Sequence, residues 1–233
     1  MLEDLKEQVW RANLELVRHG LVILTFGNVS GFSREKGWLA IKPSGVSYGD
    51  MRTSDIVLVD LDGKKVEGRL NPSSDTPTHL ALYRAFGEIG GVAHAHSACA
   101  TAFAQARREI PCLGTTHADH FFGPVPITRM LRESEVRSDY EGNTGKVIIE
   151  RFRKVHPLDV PAVLVAGHGP FTWGKTPADA VRNSLVLEQA ARMALASREI
   201  NPGLRPLPGF ILRKHFQRKH GPDAYYGQKK KKE

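Results

Sequence analysis

The run Gly91-Val92-Ala93-His94-Ala95-His96 decides how the middle of this chain folds. Its small apolar residues read as a strand, on which side chains two positions apart face the same way. His94 and His96 can therefore reach one ion together. Such a pair alone is an ordinary strand feature, since an imidazole often serves as a hydrogen-bonded core residue. Two further segments make it more. His168 lies in Val165-Ala166-Gly167-His168-Gly169-Pro170, directly after the apolar run Pro161-Ala162-Val163-Leu164-Val165, and its flanking glycines free the backbone to aim the ring. Asp75 lies in the polar string Pro72-Ser73-Ser74-Asp75-Thr76-Pro77-Thr78-His79. Three histidines with a carboxylate in reach suit a borderline-soft divalent ion, zinc foremost, with manganese or cobalt as alternatives. Ligands must shed protons to bind, so metal affinity is expected to fall below pH ~6.5.

Outward from that strand, Leu2, Leu5, Val9, Ala12 and Leu16 recur at helical spacing, predicting a first helix that ends near Gly20. Residues 21–24 and 38–41 read as a strand pair around a turn at 31–37. Residues 56–60 read as a strand that turns through Asp62-Gly63 into 65–67. Residues 76–86 predict a helix with Thr76 as N-cap and Pro77 at its first position. Helices are expected over 98–107, over 143–154 opening at Asn143, over 178–197 and near 211–220, with a strand over 160–166. Residues 114–123 read as a polar, aromatic loop. Strands interleaved with helices imply a mixed sheet covered on both faces.

At 233 residues with 41% hydrophobic content, the chain fits one soluble domain. It has no apolar stretch near the ~20 residues that span a bilayer, and its acidic N-terminus lacks a signal core. Cytoplasm is the expected compartment. The two cysteines, Cys99 and Cys112, match no thiolate metal motif, and a small buried thiol is expected at Cys99. The net charge of +8 gathers near one end, in Lys229–Lys232 and in Arg213, Lys214, Arg218 and Lys219. A lysine run without interleaved aromatics reads as a solvated tail, so nucleic-acid binding is not expected.

Three segments suit an anionic group: Gly27-Asn28-Val29-Ser30-Gly31, Lys42-Pro43-Ser44-Gly45 and Pro72-Ser73-Ser74. Each sets small donors beside turn residues, and Lys42 adds a point charge. Each alone reads as a surface turn; together with the histidines they imply an anionic substrate. Proton-transfer candidates are Asp119, in Gly114-Thr115-Thr116-His117-Ala118-Asp119-His120, and a phenol in Ala224-Tyr225-Tyr226-Gly227-Gln228.

The strings GNVSG, IKPSGV, PSSDTPTH, HAHS, GTTHADHFFG, GHGPFTWG and RKHGPDAYYGQ, in that order, resemble the class II aldolase/epimerase family from the first helix to Gln228. The closing YYGQ resembles its branch that epimerises pentulose phosphates. The chain departs from the family at Ala166, at His120 and in the lysine-rich extension beyond Gln228.

The resemblance implies one domain over residues 1–228, a three-layer α/β/α sandwich with a mostly antiparallel central sheet. It also implies a homotetramer with sites between neighbours. It implies zinc held by His94, His96 and His168 with Asp75, and phosphate-binding positions at Asn28, Lys42, Ser44, Gly45, Ser73 and Ser74. Asp119 and Tyr226 match the family's acid/base pair, the tyrosine reaching in from a neighbouring subunit; Thr115, Glu141 and His215 match secondary positions. The implied reaction interconverts L-ribulose 5-phosphate and D-xylulose 5-phosphate by retro-aldol cleavage and re-addition. The rivals are a sugar-phosphate aldolase or dehydratase on the same scaffold, and an adducin-like module, which lacks the metal histidines. Related aldolases carry a longer glutamate where Asp75 stands, which favours the epimerase.

Overall fold

The computed structural model describes residues 2–227; the lysine run and Gln228 lie outside the described residues. Helix α1, Leu2–Arg18, forms where the spacing predicts, burying Val9, Ala12 and Leu16. The chain then departs from expectation. Residues 21–24 are not a strand: Leu21 is buried beneath α1, while Ile23 and Leu24 are 66% and 77% exposed, and Leu24 has φ +53°. A left-handed backbone cannot continue a pleated ladder. The strand comes later, as β1, Asn28–Ser33, with β2 at Trp38–Ile41, so Gly31 sits inside a strand rather than opening a turn.

β3 (Val57–Asp60) and β4 (Lys65–Glu67) follow the predicted hairpin, and β5 is Gly91–His94. The predicted 160–166 strand is the shorter β6, Ala162–Leu164, and turns at once into β7, Pro170–Gly174, which the pattern does not predict. Among the described residues these seven strands form one sheet in the order β4-β3-β2-β1-β5-β7-β6. Every pairing of named strands is antiparallel, which corrects the mixed sheet read from helix interleaving and matches the expected sandwich. Helices impose parallel pairing only when they join neighbouring strands, and here they join β4 to β5 and β5 to β6, which are not neighbours in the sheet. A parallel contact occurs as the isolated bridge between Ile127 and Leu164.

One face of the sheet is covered by α2 (Thr76–Ala85) and α5 (Glu133–Arg151), around Leu80, Tyr83, Ile148, Phe171 and Trp173. The other carries α1 and α6 (Pro177–Ile200), around Leu16, Val29, Ala93 and Val181, with α3 (Ala98–Gln105) against β6. Close packing on this second face demands glycine. A Cβ on Gly31 would stand 2.8–2.9 Å from Leu5, Val9 and Pro177, and one on Gly91 would stand 2.3 Å from the backbone oxygen of Thr176.

Two helix starts differ from the sequence reading. The N-cap of α2 is Asp75; Thr76 is its first residue, its hydroxyl donating to the Ser73 carbonyl at 2.6 Å. Helix α5 begins ten residues before Asn143, and is bent at Asp139, whose φ and ψ are −165° and 87°. Loop 114–123 holds a short helix, α4, Thr115–Ala118, against which α7, Gly209–His220, packs.

Candidate active site

The strand register builds the site. Asn28 on β1 lies opposite His94 on β5, and His94 lies opposite Phe171 on β7, so the three side chains share the α2/α5 face. The His94 ring stacks on Phe171 with centroids 4.1 Å apart. Its Nδ1–H donates to the Pro170 carbonyl oxygen at 2.9 Å, leaving the Nε2 lone pair free to ligate. That Nε2 faces Nε2 of His96 at 3.1 Å. The glycine-bounded turn between β6 and β7 brings in His168, and ligating atoms of His94, His96 and His168 lie within 4.8 Å of one another. His96 stands just beyond the end of β5, yet the i, i+2 convergence holds.

Protonation states favour a cation. Burial, with His94 and His96 nearby, pushes His168 down to about 4, and desolvation and His94 lower His96. Burial alone would raise the Asp75 carboxyl, but His94 and His79 outweigh it, joined by the Asn28 amide hydrogen bond and His168, and hold it below the usual range. His96 and His168, which shed their protons readily, beside an ionised carboxylate suit a divalent metal. Asn28 Nδ2 donates to Asp75 Oδ2 at 2.6 Å and to Ser73 Oγ at 3.1 Å, while its buried Oδ1 has no protein partner among the described residues. The residues fit a metal.

A cavity of about 400 Å³ joins this cluster to the anion-binding candidates. Asn28, Lys42, Ser44, Gly45, Ser73 and Ser74 line it together with Asp75, His94, His96 and His168. Two of the three loops hold each other: Ser44 N–H donates to the Asn71 carbonyl at 2.9 Å, and Ser73 N–H to that of Lys42 at 3.0 Å. Gly45 adopts φ +68°, a conformation glycine reaches without strain. Lys42 is 2% exposed, with its Nζ 4.8 Å from the Tyr48 ring centroid and 3.3 Å from the Pro43 carbonyl. Among the described residues no carboxylate pairs with it, and burial lowers its pKa. A buried ammonium without a counterion is a built-in demand for an anion.

The same cavity contains Thr25, Phe26, Tyr140 and Glu141. Of these, only Glu141 carries a sequence signal. The Tyr140 hydroxyl lies 3.3 Å from His168 Nδ1. The bend at Asp139 precedes both residues, and nothing in the local pattern announces it. His79, one turn along α2 from Asp75, belongs to the polar string but has no role in the sequence reading. It is wholly buried, its Nδ1 is 2.7 Å from Ser30 Oγ, and burial pushes it to about 3.

Neither Asp119 nor Tyr226 lines that cavity. Asp119 ends α4, where Arg218 Nε and Nη2 donate to its carboxylate at 3.0 and 2.6 Å and His215 Nδ1 does so at 3.0 Å. Burial would raise the Asp119 carboxyl, but Arg218, His215 and Lys219 hold it below its usual range. The Tyr226 ring lies 5.1 Å from the Arg218 guanidinium and 4.4 Å from the Lys219 ammonium. Both residues thus belong to one basic face built on α7. That face borders a larger cavity, about 710 Å³, lined by His120, Lys175, Arg182, Lys219 and Tyr226 among others. Of the secondary positions, Glu141 joins the histidine cavity, His215 joins Asp119, and Thr115 is exposed at the start of α4.

The fold has counterparts among known proteins. The family described as Class II Aldolase and Adducin N-terminal domain matches residues 7–195. Proteins of Salmonella paratyphi A and Salmonella typhi, each named L-ribulose-5-phosphate 4-epimerase UlaF, are 58% identical over 228 residues, covering 98% of this chain and 100% of theirs. A solved L-fuculose 1-phosphate aldolase superposes with a TM-score of 0.79 at 27% identity, over 92% of this chain and 95% of its own. The L-fuculose-1-phosphate aldolase of Thermus thermophilus shares the fold at 23% identity and a TM-score of 0.67, over 87% of this chain and 100% of its own. A three-layer sandwich on an antiparallel sheet, a histidine triad that can hold a metal and a match over most of the sequence agree: the chain belongs to the class II aldolase and adducin N-terminal domain family.

Proposed function

We propose that this protein interconverts L-ribulose 5-phosphate and D-xylulose 5-phosphate by inversion at C4, as a zinc-dependent cytoplasmic homotetramer whose single domain spans residues 1–228. One observation carries the reading: a single cavity is lined both by a histidine triad and by Lys42, a buried ammonium that no carboxylate pairs with among the described residues. A phosphorylated sugar that also chelates a cation satisfies both demands. The names of the 58%-identical relatives supply the substrate.

The C4 hydrogen is not acidic, because C4 is not adjacent to the C2 carbonyl. Inversion therefore proceeds by breaking the C3–C4 bond and re-forming it on the opposite face. His94, His96 and His168, with Asp75, would hold the zinc; when bound, it supplies Lewis-acid polarisation of the ketose oxygens. Lys42, the hydroxyls of Ser44, Ser73 and Ser74, the Asn28 amide and the Gly45 backbone grip the phosphate. That grip keeps the two-carbon aldehyde in place while it turns over.

The C4 oxygen occupies different positions in the two epimers, so two proton carriers are needed. Asp119 serves one epimer and Tyr226 the other, removing the C4 hydroxyl proton as the bond breaks and returning one as it re-forms. Because both stand outside their own histidine cavity, the active site is completed by the α7 face of a neighbouring subunit.

The test is incubation of metal-loaded protein with L-ribulose 5-phosphate and chromatographic resolution of every product. D-xylulose 5-phosphate without free glycolaldehyde phosphate is the expected result. Accumulating glycolaldehyde phosphate would instead identify an aldolase, the activity named for the solved neighbour.

A further inference from the structure

The segment that carries His96 is held by a residue far along the chain. β5 ends at His94, so Ala95, His96 and Ser97 link strand to helix α3 outside the ladder. Ala95 N–H donates to the Pro170 carbonyl only at 3.4 Å. Ser97, the N-cap of α3, makes no side-chain bond to that helix. The helix is capped instead by Glu188, from the middle of α6. Its Oε1 accepts from Cys99 N–H at 2.9 Å and its Oε2 from Ala100 N–H at 3.0 Å. The Ser97 side chain stands beside the same carboxylate and helps to hold it ionised.

Glu188 is 4% exposed. Burial alone would raise its pKa, but the Ala100 and Cys99 amides and the Ser97 and Cys99 side chains hold it below the usual range. A carboxylate so placed is stabilised by the free N–H groups and positive end of the helix. Helix α6 is in turn fastened to β7: Asn183 Nδ2 donates to the Trp173 carbonyl at 2.8 Å, and Thr172 Oγ1 to that of Ala180 at 2.9 Å. His94 is bonded to the start of that same strand, at Pro170. Both halves of the His-x-His pair are thus referenced to β7, His94 directly and His96 through α6, Glu188 and α3.

We propose that Glu188 is a positioning residue for the metal site, fixing the segment between β5 and α3 so that His96 meets the ion beside His94. This rests on the metal reading of the histidine cluster. In Glu188→Gln one acceptor oxygen becomes an NH2 donor aimed at a backbone N–H, so one of the two cap bonds is lost.

The experiment loads wild type, Glu188→Gln and Ser97→Ala with Co²⁺. It records the d–d absorption, measures affinity by competition with a chromogenic chelator, and follows thermal unfolding of the metal-free forms. Glu188→Gln should bind cobalt about 10–100-fold more weakly, as loss of a group that orients a ligand does, with an altered d–d spectrum. A folded Glu188→Gln with wild-type affinity and spectrum, even if less thermostable, overturns the proposal, because a purely structural cap would lower only the melting temperature. If Glu188→Gln does not fold, Ser97→Ala decides. It removes the hydroxyl beside Glu188 and should weaken cobalt binding about three- to ten-fold; unchanged affinity and spectrum overturn the proposal. Wild type that binds no cobalt would contradict the metal site itself, a distinguishable failure.

Discussion

The Nδ1–H of His94 donates to the carbonyl oxygen of Pro170, 2.9 Å away on the adjoining strand. This bond fixes the tautomer, so Nε2 presents a lone pair toward His96 and His168. A hydrogen-bonded, backbone-oriented imidazole is what a tight metal ligand requires. His94→Asn removes the ligating nitrogen while leaving an amide of similar reach. Elemental analysis of the purified variant should find no bound metal, and turnover should vanish with it. Full metal occupancy in His94→Asn would mean that the ligand set is wrong.

Acid should destabilise the metal-free protein earlier than an ordinary carboxylate profile would. Burial pushes His168, His117 and His120 to about 4 and His79 to about 3. A histidine whose folded pKa is depressed favours the unfolded chain once that chain binds the proton. The stability that these groups contribute is full above the unfolded value of about 6.5 and lost as pH falls through the folded values. Urea unfolding after chelator treatment, at pH 7, 5.5 and 4.5, should show midpoints falling at each step; a flat profile would contradict the buried neutral rings. The same depression moves part of the proton competition for metal below the pH ~6.5 expected of ordinary histidines.

Lys42→Met keeps the buried stem and removes the charge. Loss of a hydrogen bond from a charged donor should raise KM for the sugar phosphate about 10–100-fold, and competitive inhibition by inorganic phosphate should weaken in parallel. Metal content should stay at the wild-type level. Steady-state kinetics with phosphate as inhibitor checks this, and unchanged phosphate inhibition would remove Lys42 from the anion site.

Tyr226→Phe deletes a hydroxyl that is exposed in the single chain. Turnover should fall about 10²–10⁴-fold, the range of a general acid or base, with metal content and melting temperature unchanged. A fully active variant would exclude the phenol from proton transfer.

Gly91→Ala should be among the more damaging single-methyl changes. Its Cβ would stand 2.3 Å from the Thr176 oxygen and 2.4 Å from Pro177 N, both backbone atoms. The backbone must shift, at a cost of at least about 1–3 kcal/mol. Denaturant titration of the variant measures it, and wild-type stability would refute the close approach of α6 to β5.

The elements legible in the sequence are those whose local pattern and tertiary role agree. Helix α1, the β3–β4 hairpin, α2 and β5 all announce themselves by spacing and turn residues. β1 does not, because Asn28-Val29-Ser30-Gly31-Phe32-Ser33 reads as a turn; pairing with β2 on one side and β5 on the other makes it a strand. β7 is hidden by the proline and glycine at its ends, and the start of α5 by the bend at Asp139. The histidine triad is readable because i, i+2 spacing on a strand has one geometric meaning. The contact of both Asp119 and Tyr226 with Arg218 is not, because Arg218 follows Asp119 by 99 residues and no local pattern links them.

The most direct measurement of the composite epimerase site mixes two disabled proteins. His94→Asn supplies an intact α7 face, and Tyr226→Phe supplies an intact histidine cavity. Equal amounts are co-expressed or exchanged, loaded with zinc, and assayed for D-xylulose 5-phosphate formed from L-ribulose 5-phosphate. Random assembly around a closed ring pairs a sound cavity with a sound neighbouring face in about a quarter of the sites. About a quarter of wild-type activity is the predicted result. A mixture no more active than its parents, though shown to contain mixed oligomers, would contradict a site shared between subunits.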